Sequence, residues 1–545
     1  MRMNEQGAST AARLGYASQR RKQLGAEDGF TMIIALFVLV ISSLLIAAAF
    51  VAAKGDIGNT QRDLEGKRAY YAARAGMANF LYKVNKNTEL WETCPSQAVT
   101  QVPGAPSNVK FSYVPVPANG APTCSTANPV GTMIDFNTGS FRMKFTGTAG
   151  TPAVTRTIVA SFRRDSPLDF LWYSVYETLD PNTYADPAAH QNCAAFRRDG
   201  RPSSCGVISW ITNDKLNGPM YTQDQYSICG SPTFGRAGGS DSINTAAPGP
   251  PTAPGLITTS GCSNNAVLNG PLVENAPYIT APPDNTNLLA YAQSDGQVYS
   301  GATTIVLNGT TATVTSPNTP GCSPTCPALN LANDPIVYVT SGVCSASYSP
   351  YFSQSANVYN KSATCGNVYV SGNYSSSLTI AAANDIIIEG SVTTNLTGPA
   401  VMGMVANNFI RIMHGVTTRS GTTQGQCGSA ANVASQTLTS LRVDAAVLAL
   451  NHSFIVDNFD CGAPIGGTPP TAGLIVNGVI AQLFRGTVGT TSGGSSVTGY
   501  LKNYTYDDRL AVQQPPYLFD LASASWRVVR ETACVQGSAD TAVAC

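Results

Sequence analysis

Residues 30–53 (FTMIIALFVLVISSLLIAAAFVAA) run for 24 positions without a charged side chain. A helix of that length, rising about 1.5 Å per residue, covers the ~30 Å hydrocarbon core of a bilayer. A secretory signal core is shorter, about 7–15 residues, so the run reads as a membrane helix. Cleavage near the small residues Ala47, Ala49, Ala52 and Ala53 is the competing, signal-peptide reading. Flanking charge does not orient the helix, because Arg20, Arg21 and Lys22 precede it and Lys54, Arg62, Lys67 and Arg68 follow it. The cysteines do. None of the 14 precedes Cys94, and disulfides persist outside the reducing cytosol, so the body beyond the helix is expected outside the cytoplasm.

The whole chain, at 545 residues, is long enough for about three folding units. Its 32 Lys+Arg balance 32 Asp+Glu, and charged residues make up only 12%, against about 25% in an ordinary domain. A nucleic-acid partner is not expected, since neutralising phosphates requires a basic surface.

Ahead of the apolar run a polar leader ends in Glu27, Asp28 and Gly29, and the apolar residues start at once with Phe30 and Thr31. This junction resembles that of the type IV prepilin family. The resemblance implies a leader, residues 1–29, cut after Gly29 by a prepilin peptidase on the cytoplasmic side, and a mature chain starting with N-methylated Phe30. The sequence departs from the family at mature position five, where Ile34 replaces the usual Glu. In the major subunits that carboxylate is expected to meet a neighbour's N-terminal amine, since an unpaired ion in hydrocarbon is costly. Its absence points to a minor or tip subunit.

Helical patterning continues to about Asn87, with Ile57, Leu64, Tyr71 and Ala78 seven residues apart and Tyr70, Met77, Phe80, Leu81 and Val84 widening the stripe. Residues 69–76 (AYYAARAG) resemble the segment after the membrane helix of PilX-like minor pilins. Strand-like runs follow at 109–114, 132–136, 140–146 and 155–162, with Asn137, Thr138 and Gly139 as a turn. The aromatic stretch 167–178 (Phe170, Trp172, Tyr173, Tyr176) reads either as a contact between two units or as ordinary core.

From Cys205 to Leu510, runs of three to six apolar residues alternate with Gly, Asn, Ser and Pro. Ala382 to Ile388 matches Ala406 to Ile412, and Ala449 to Val456 matches both with one extra residue. The corner amides Asn384 and Asn408 are 24 positions apart, and Asn451 follows after 43. Short strands with polar corners at such a period predict a parallel β-helix whose coils bury their inward residues by stacking, with corner amides forming a ladder. Asn308-Gly309 between alternating strands predicts a type I′ hairpin inserted near 302–316. The segments 217–222, 441–457 and 499–509 resemble the C-terminal regions of large PilX-like or surface β-solenoid proteins.

Chemistry is sparse. Of three histidines, His190 lies near Cys193 and Cys205, but the spacing lacks the paired halves of a zinc module. Cys322 and Cys326 miss the redox Cys-x-x-Cys spacing. All the cysteines, Cys94, Cys124, Cys193, Cys205, Cys229, Cys262, Cys322, Cys326, Cys344, Cys365, Cys427, Cys461, Cys534 and Cys545, are therefore read as disulfide candidates of open connectivity. The carboxylates Asp385, Glu389, Asp444, Asp457 and Asp460, with Arg411 and His414, form no recognisable glycosidase or lyase constellation. Tyr504, Tyr506, Asp507, Asp508 and Arg509 read either as an aromatic lip or as the packed cap of the last coil. No catalytic residue, metal or cofactor is expected.

The expected architecture is mainly β. It comprises the leader (1–29), a transmembrane pilin-type helix (30–53), its amphipathic continuation (54–90), a small antiparallel sheet (91–165), a connecting segment (166–204), a right-handed parallel β-helix, or solenoid, with loop insertions (205–511), and a C-terminal tail (512–545). Together with the resemblance this implies a minor or tip pilin, partnered by other pilin subunits, the assembly machinery, the peptidase and the membrane, that displays its solenoid at the cell surface to meet a glycan or protein ligand. A tethered or secreted adhesin, and a carbohydrate-active β-helix, are the alternatives.

Overall fold

The computed structural model describes residues 28–534 apart from 196–199, 251–252, 323–324, 345–346, 353–362, 418, 420, 422, 428–439, 467–472, 493–494 and 519–524. Residues 1–27 and Cys545 lie outside the described residues. The protein is mainly β, with one long N-terminal helix and a small antiparallel sheet.

Helix α1 (Asp28–Lys86) is unbroken over 59 residues. Its segment Met32–Ala52 is apolar and unburied, long enough by length and composition to cross a membrane. The C-terminal part instead packs on an antiparallel sheet of β1 (Gln97–Gln101), β2 (Lys110–Val116), β3 (Phe141–Ala149), β4 (Val154–Arg164) and a fifth strand, Trp526–Ala533, in that order. Phe80 is fully buried among the rings of Tyr113, Phe141, Phe145 and Phe162, at 5.1–6.0 Å. The small residues of 69–76 have a direct role here: a Cβ on Gly147 would come within 2.0 Å of the Ala69 carbonyl oxygen, so helix and strand backbones touch.

Two expectations for this unit change. Residues 132–136 are not a strand: Pro129–Met133 is a short helix, α2, because the Asn128 side chain accepts from the Gly131 N–H at 3.0 Å and Pro129 opens the turn. Nor is 512–545 simply a tail, since Trp526–Ala533 pairs with β4 and Trp526 enters the helix–sheet core. The loops are bridged by Cys94–Cys124.

The body is a stack of short parallel strands. Along one face the order is Gln297–Ser300, Ile336–Thr340, Leu378–Ala382, Met402–Ala406, Ser440–Ala449, Gly473–Phe484, β5 (Trp172–Tyr176), Met220–Thr222, Ile243–Thr245 and Leu272–Val273. A second ladder runs Thr303–Gly309, Val368–Tyr374, Ile386–Thr393, Ile410–Ile412 and Phe454–Val456. On a third, Lys502–Tyr506 joins Gly473–Phe484 to Lys215–Asn217, Thr233–Phe234 and Val267–Leu268. Thr303–Gly309 and Thr311–Thr315 form an antiparallel hairpin, with Gly309 at φ +65°.

This order is not the chain order. The chain enters mid-stack at β5, builds outwards to Leu272–Val273, crosses to the far end, and builds back until Gly473–Phe484 pairs with β5. The body therefore starts within 166–204 rather than at 205. Period alone could not place β5, because its stacking partners come from 220 and from 480, far apart in sequence. At about 4.8 Å per strand the face is roughly 43 Å long, and the connector with α3 (Thr286–Asp295) runs along it. Tyr221 Oη donates to Pro277 O (2.8 Å), Gln223 Nε2 to Ile279 O (2.7 Å), and Asn285 Nδ2 to Ala382 O (2.9 Å) and Val405 O (3.0 Å).

The returning half meets the first half through buried ions. Arg485 and Glu177 pair at 2.9 Å with both side chains essentially inaccessible, and the guanidinium lies 3.7 Å from the Trp210 ring centroid. Trp172 Nε1 also donates to Glu177, at 2.8 Å. Lys502 contacts both oxygens of Asp214 at 2.9 and 3.0 Å, and His452 Nδ1 meets Asp180 at 3.0 Å. Burial lowers the pKa of both Arg485 and Lys502.

Two stability tests follow, both by urea unfolding of the full chain in detergent. Gly147→Ala should cost at least 1–3 kcal/mol, the usual range of overpacking, because the added carbon meets backbone. Arg485→Ala should cost about 3–5 kcal/mol by leaving Glu177 buried and unpaired. The pair Arg485→Met with Glu177→Leu should recover most of that loss.

Candidate functional site

Three places hold the residues from which function can be argued: the start of α1, the polar corner of the stack, and the junction of sheet and body. At the first, Gly29 and Phe30 lie in the opening turn of α1. The leader residues 1–27, with Arg20, Arg21 and Lys22, fall outside the described residues. Ile34 is 47% exposed on the apolar surface of the helix. Within that surface the hydroxyls of Ser42 and Ser43 turn back onto the carbonyls of Val38 (2.7 Å) and Val40 (2.8 Å), so the helix satisfies its own polar side chains.

At the second place the predicted corner amides meet. Asn408 Nδ2 donates to Asn384 Oδ1 and Asn384 Nδ2 to Asn367 Oδ1, each at 2.6 Å. The ladder therefore runs through Asn367, which the repeat did not single out. Asn451 reaches the corner by its backbone, donating to Asn407 O at 2.9 Å. The extra residue in that coil brings His452 over Phe409, with ring centroids 4.3 Å apart and nearly parallel. Asn182, Ser347, Asn384, Asn408 and His452 border a polar cleft of about 230 Å³ beside the Cys344–Cys365 bridge.

The carboxylates near this corner are held by arginines. Arg411 reaches Asp385 at 3.2 Å and both oxygens of Asp457 at 3.0 Å, over the ring of Tyr348 at 4.1 Å. Burial raises the Asp385 pKa even with Arg411 beside it. Asp460 pairs with Arg419 at 2.7 Å and Asp444 with Arg442 at 2.8 Å, while Glu389 is half-buried on the second ladder. Burial also lowers the His414 pKa, opposed by a 3.1 Å contact of its Nδ1 with Asp457 O.

The remaining candidates divide similarly. Tyr504 and Tyr506 are buried in the body core, Asp507 pairs with Arg509 at 2.6 Å in a largely buried bridge, and the exposed Asp508 pairs with Arg236 at 2.6 Å. Cys193 bridges Cys205, and His190 stacks on Tyr184 with ring centroids 3.7 Å apart. The other bridges are Cys229–Cys262, Cys322–Cys326 and Cys427–Cys461, and Cys534 is also disulfide-bonded. Among the described residues no group of three His, Cys, Asp or Glu is placed to hold a metal.

At the third place, Arg163 of β4 bonds Asp169 at 2.6 Å and donates to the carbonyls of Leu510 (3.2 Å) and Ala511 (2.8 Å), fixing the body to the sheet. Phe136 packs on Tyr517 across the same junction, at 5.1 Å.

No protein-family model matches the chain, and no curated protein matches it. Among solved structures it is similar to the competence-associated pilin ComZ from Thermus thermophilus, at 12% identity and a TM-score of 0.28, over 87% of this chain and 98% of that one.

Because His414 is kept neutral in the fold and titrates near pH 6.5 when unfolded, its contribution to stability is present above about pH 6.5. That contribution is lost as the pH falls through the lower folded value. Thermal melts from pH 7.5 to 5.5 should show a fall in Tm that His414→Gln reduces.

Proposed function

We propose that this chain is a pilin-like subunit in a minor or tip position of a type IV pilus-like filament, carrying a right-handed β-solenoid at the cell surface. The observation that carries this reading is α1, a single helix with an unburied apolar half, Met32–Ala52, and a second half buried against an antiparallel sheet. The first half is suited to a bilayer and then to a bundle of like helices, because the apolar surface that lipid covers is the surface that other helices can cover after extraction by the assembly machinery. The parallel ladders, inward-facing aliphatic residues and corner amides support the solenoid reading.

With Ile34 where a shaft subunit carries a carboxylate, and several hundred residues outside the helix, a low-copy position is favoured. No catalytic role is assigned to Asp385, Asp444, Asp457 or Asp460, whose oxygens are engaged by Arg411, Arg442 and Arg419. The adhesive role would fall to the exposed body, where the polar cleft beside Asn384 and Asn408 offers uncharged hydrogen-bonding groups suited to a glycan.

Mass spectrometry of the N-terminal peptide, from protein recovered with its native membrane machinery, tests the reading. The expected terminus is N-methylated Phe30. A terminus near Lys54 or an uncut leader would overturn it in favour of a secreted or tethered adhesin, and immunogold label along the whole shaft would overturn the low-copy position.

A further inference from the structure

The outer face of the small sheet, opposite α1, forms a cleft of about 350 Å³ against the body. Strand register places Arg142 of β3, Ser161 of β4 and Arg530 of the C-terminal strand in one row across the sheet, so the two arginines are roughly 10 Å apart at the backbone. From Arg163 to Arg527 every described arginine is ion-paired. The side chains of Arg142 and Arg530 have no ion pair or hydrogen bond to any described residue.

The other charges in the cleft are largely accounted for. Arg163 is held by Asp169, and Arg527 by Asp165 (2.5 Å) and Asp169 (3.2 Å). The Asp135 carboxylate accepts the backbone N–H groups of Asn137 and Thr138, at 2.9 and 3.2 Å. Two guanidinium groups thus face a concave surface without an ion pair to any described residue, against the single carboxylate of Asp135, a geometry suited to bidentate binding of further carboxylates.

Two further features favour a peptide. Val529 (39% exposed) and Val512 (72% exposed) face the cleft from opposite walls and offer apolar contact beside the charge. The strand Trp526–Ala533 ends the sheet, and no described strand pairs with its outer edge. Its backbone groups can therefore receive an added strand. Polysaccharides and nucleic acids make no use of such an edge.

We propose that this cleft binds an acidic, extended peptide segment of a partner protein, with its carboxylates on Arg142 and Arg530 and its backbone along the edge of Trp526–Ala533. The proposal does not depend on the pilin reading, and either can fail without the other.

Fluorescence anisotropy of the full chain in detergent tests it, with a labelled peptide of alternating Glu and Val, its Gln–Val counterpart and a sulfated oligosaccharide as probes. The expected result is saturable binding of the Glu–Val peptide, weakened at least tenfold by Arg142→Gln with Arg530→Gln and by added salt, and unchanged by Lys215→Gln. Val512→Asp, an exposed change with little bearing on folding, should weaken it as well, by like-charge repulsion. Absence of saturable peptide binding, equal binding of the Gln–Val peptide, insensitivity to both the arginine and Val512 variants, or tighter binding of the sulfated oligosaccharide would overturn the assignment.

Discussion

The body depends on the contact that closes its stack in the middle. Because the chain enters at β5 and returns to it only at Gly473–Phe484, the first and last strands of this path each leave an edge that the other half covers. Backbone pairing alone would tolerate a slipped register. Arg485 with Glu177 and Lys502 with Asp214 constrain it, since a slip would leave ions buried without partners, at several kcal/mol each, and the His452–Asp180 hydrogen bond adds to the constraint. The ion pairs thus act as a register device, and the hydrophobic faces of the stacked strands supply most of the cohesion. The connector through Pro277, Ile279 and Asn285 strengthens the closure by tying both halves along one face.

Closure in the middle also explains how the two units are joined. The chain leaves the sheet after β4 and enters the body at β5, then returns by Trp526–Ala533 to pair with β4. Sheet and body are therefore linked by two chain passages and by the Arg163 contacts to the 510–511 backbone. Trp526, at the end of the second passage, packs on Trp91 and Phe141 and donates to Thr88 O, so the helix–sheet core is completed by a strand that follows the body in sequence.

Much of the local structure was legible in the residues. The uncharged run, the amphipathic stripe through Phe80 and Val84, the Asn308-Gly309 turn and the 24-residue spacing of Asn384 and Asn408 each depend on contacts near in sequence or on a fixed repeat, and the structure contains each feature. Residues 132–136 were misread because the Asn128 cap and Pro129 outweigh the strand pattern. The sequence carries no signal that places β5 in the stack, because β5 has no repeat neighbour there. The ladder member Asn367 was missed because its coil has a different length. Of the candidate clefts, the corner was partly visible through its amides, whereas the Arg142–Ser161–Arg530 row is created by pairing Ser161 with Arg530, far apart in sequence, and carries no local signal.

By itself the sequence determined that the chain carries a membrane-length apolar helix, that the cysteine-bearing region is suited to an oxidising compartment, and that the body is built from short strands with polar corners. These follow from composition and period, which act over a few residues. Only the tertiary structure decided where the stack begins and ends, which carboxylates are neutralised by which arginines, and that the side chains of Arg142 and Arg530 share one cleft without an ion pair to any described residue. Those outcomes depend on which distant strands share a register, and burial sets a high energetic cost on each wrong choice.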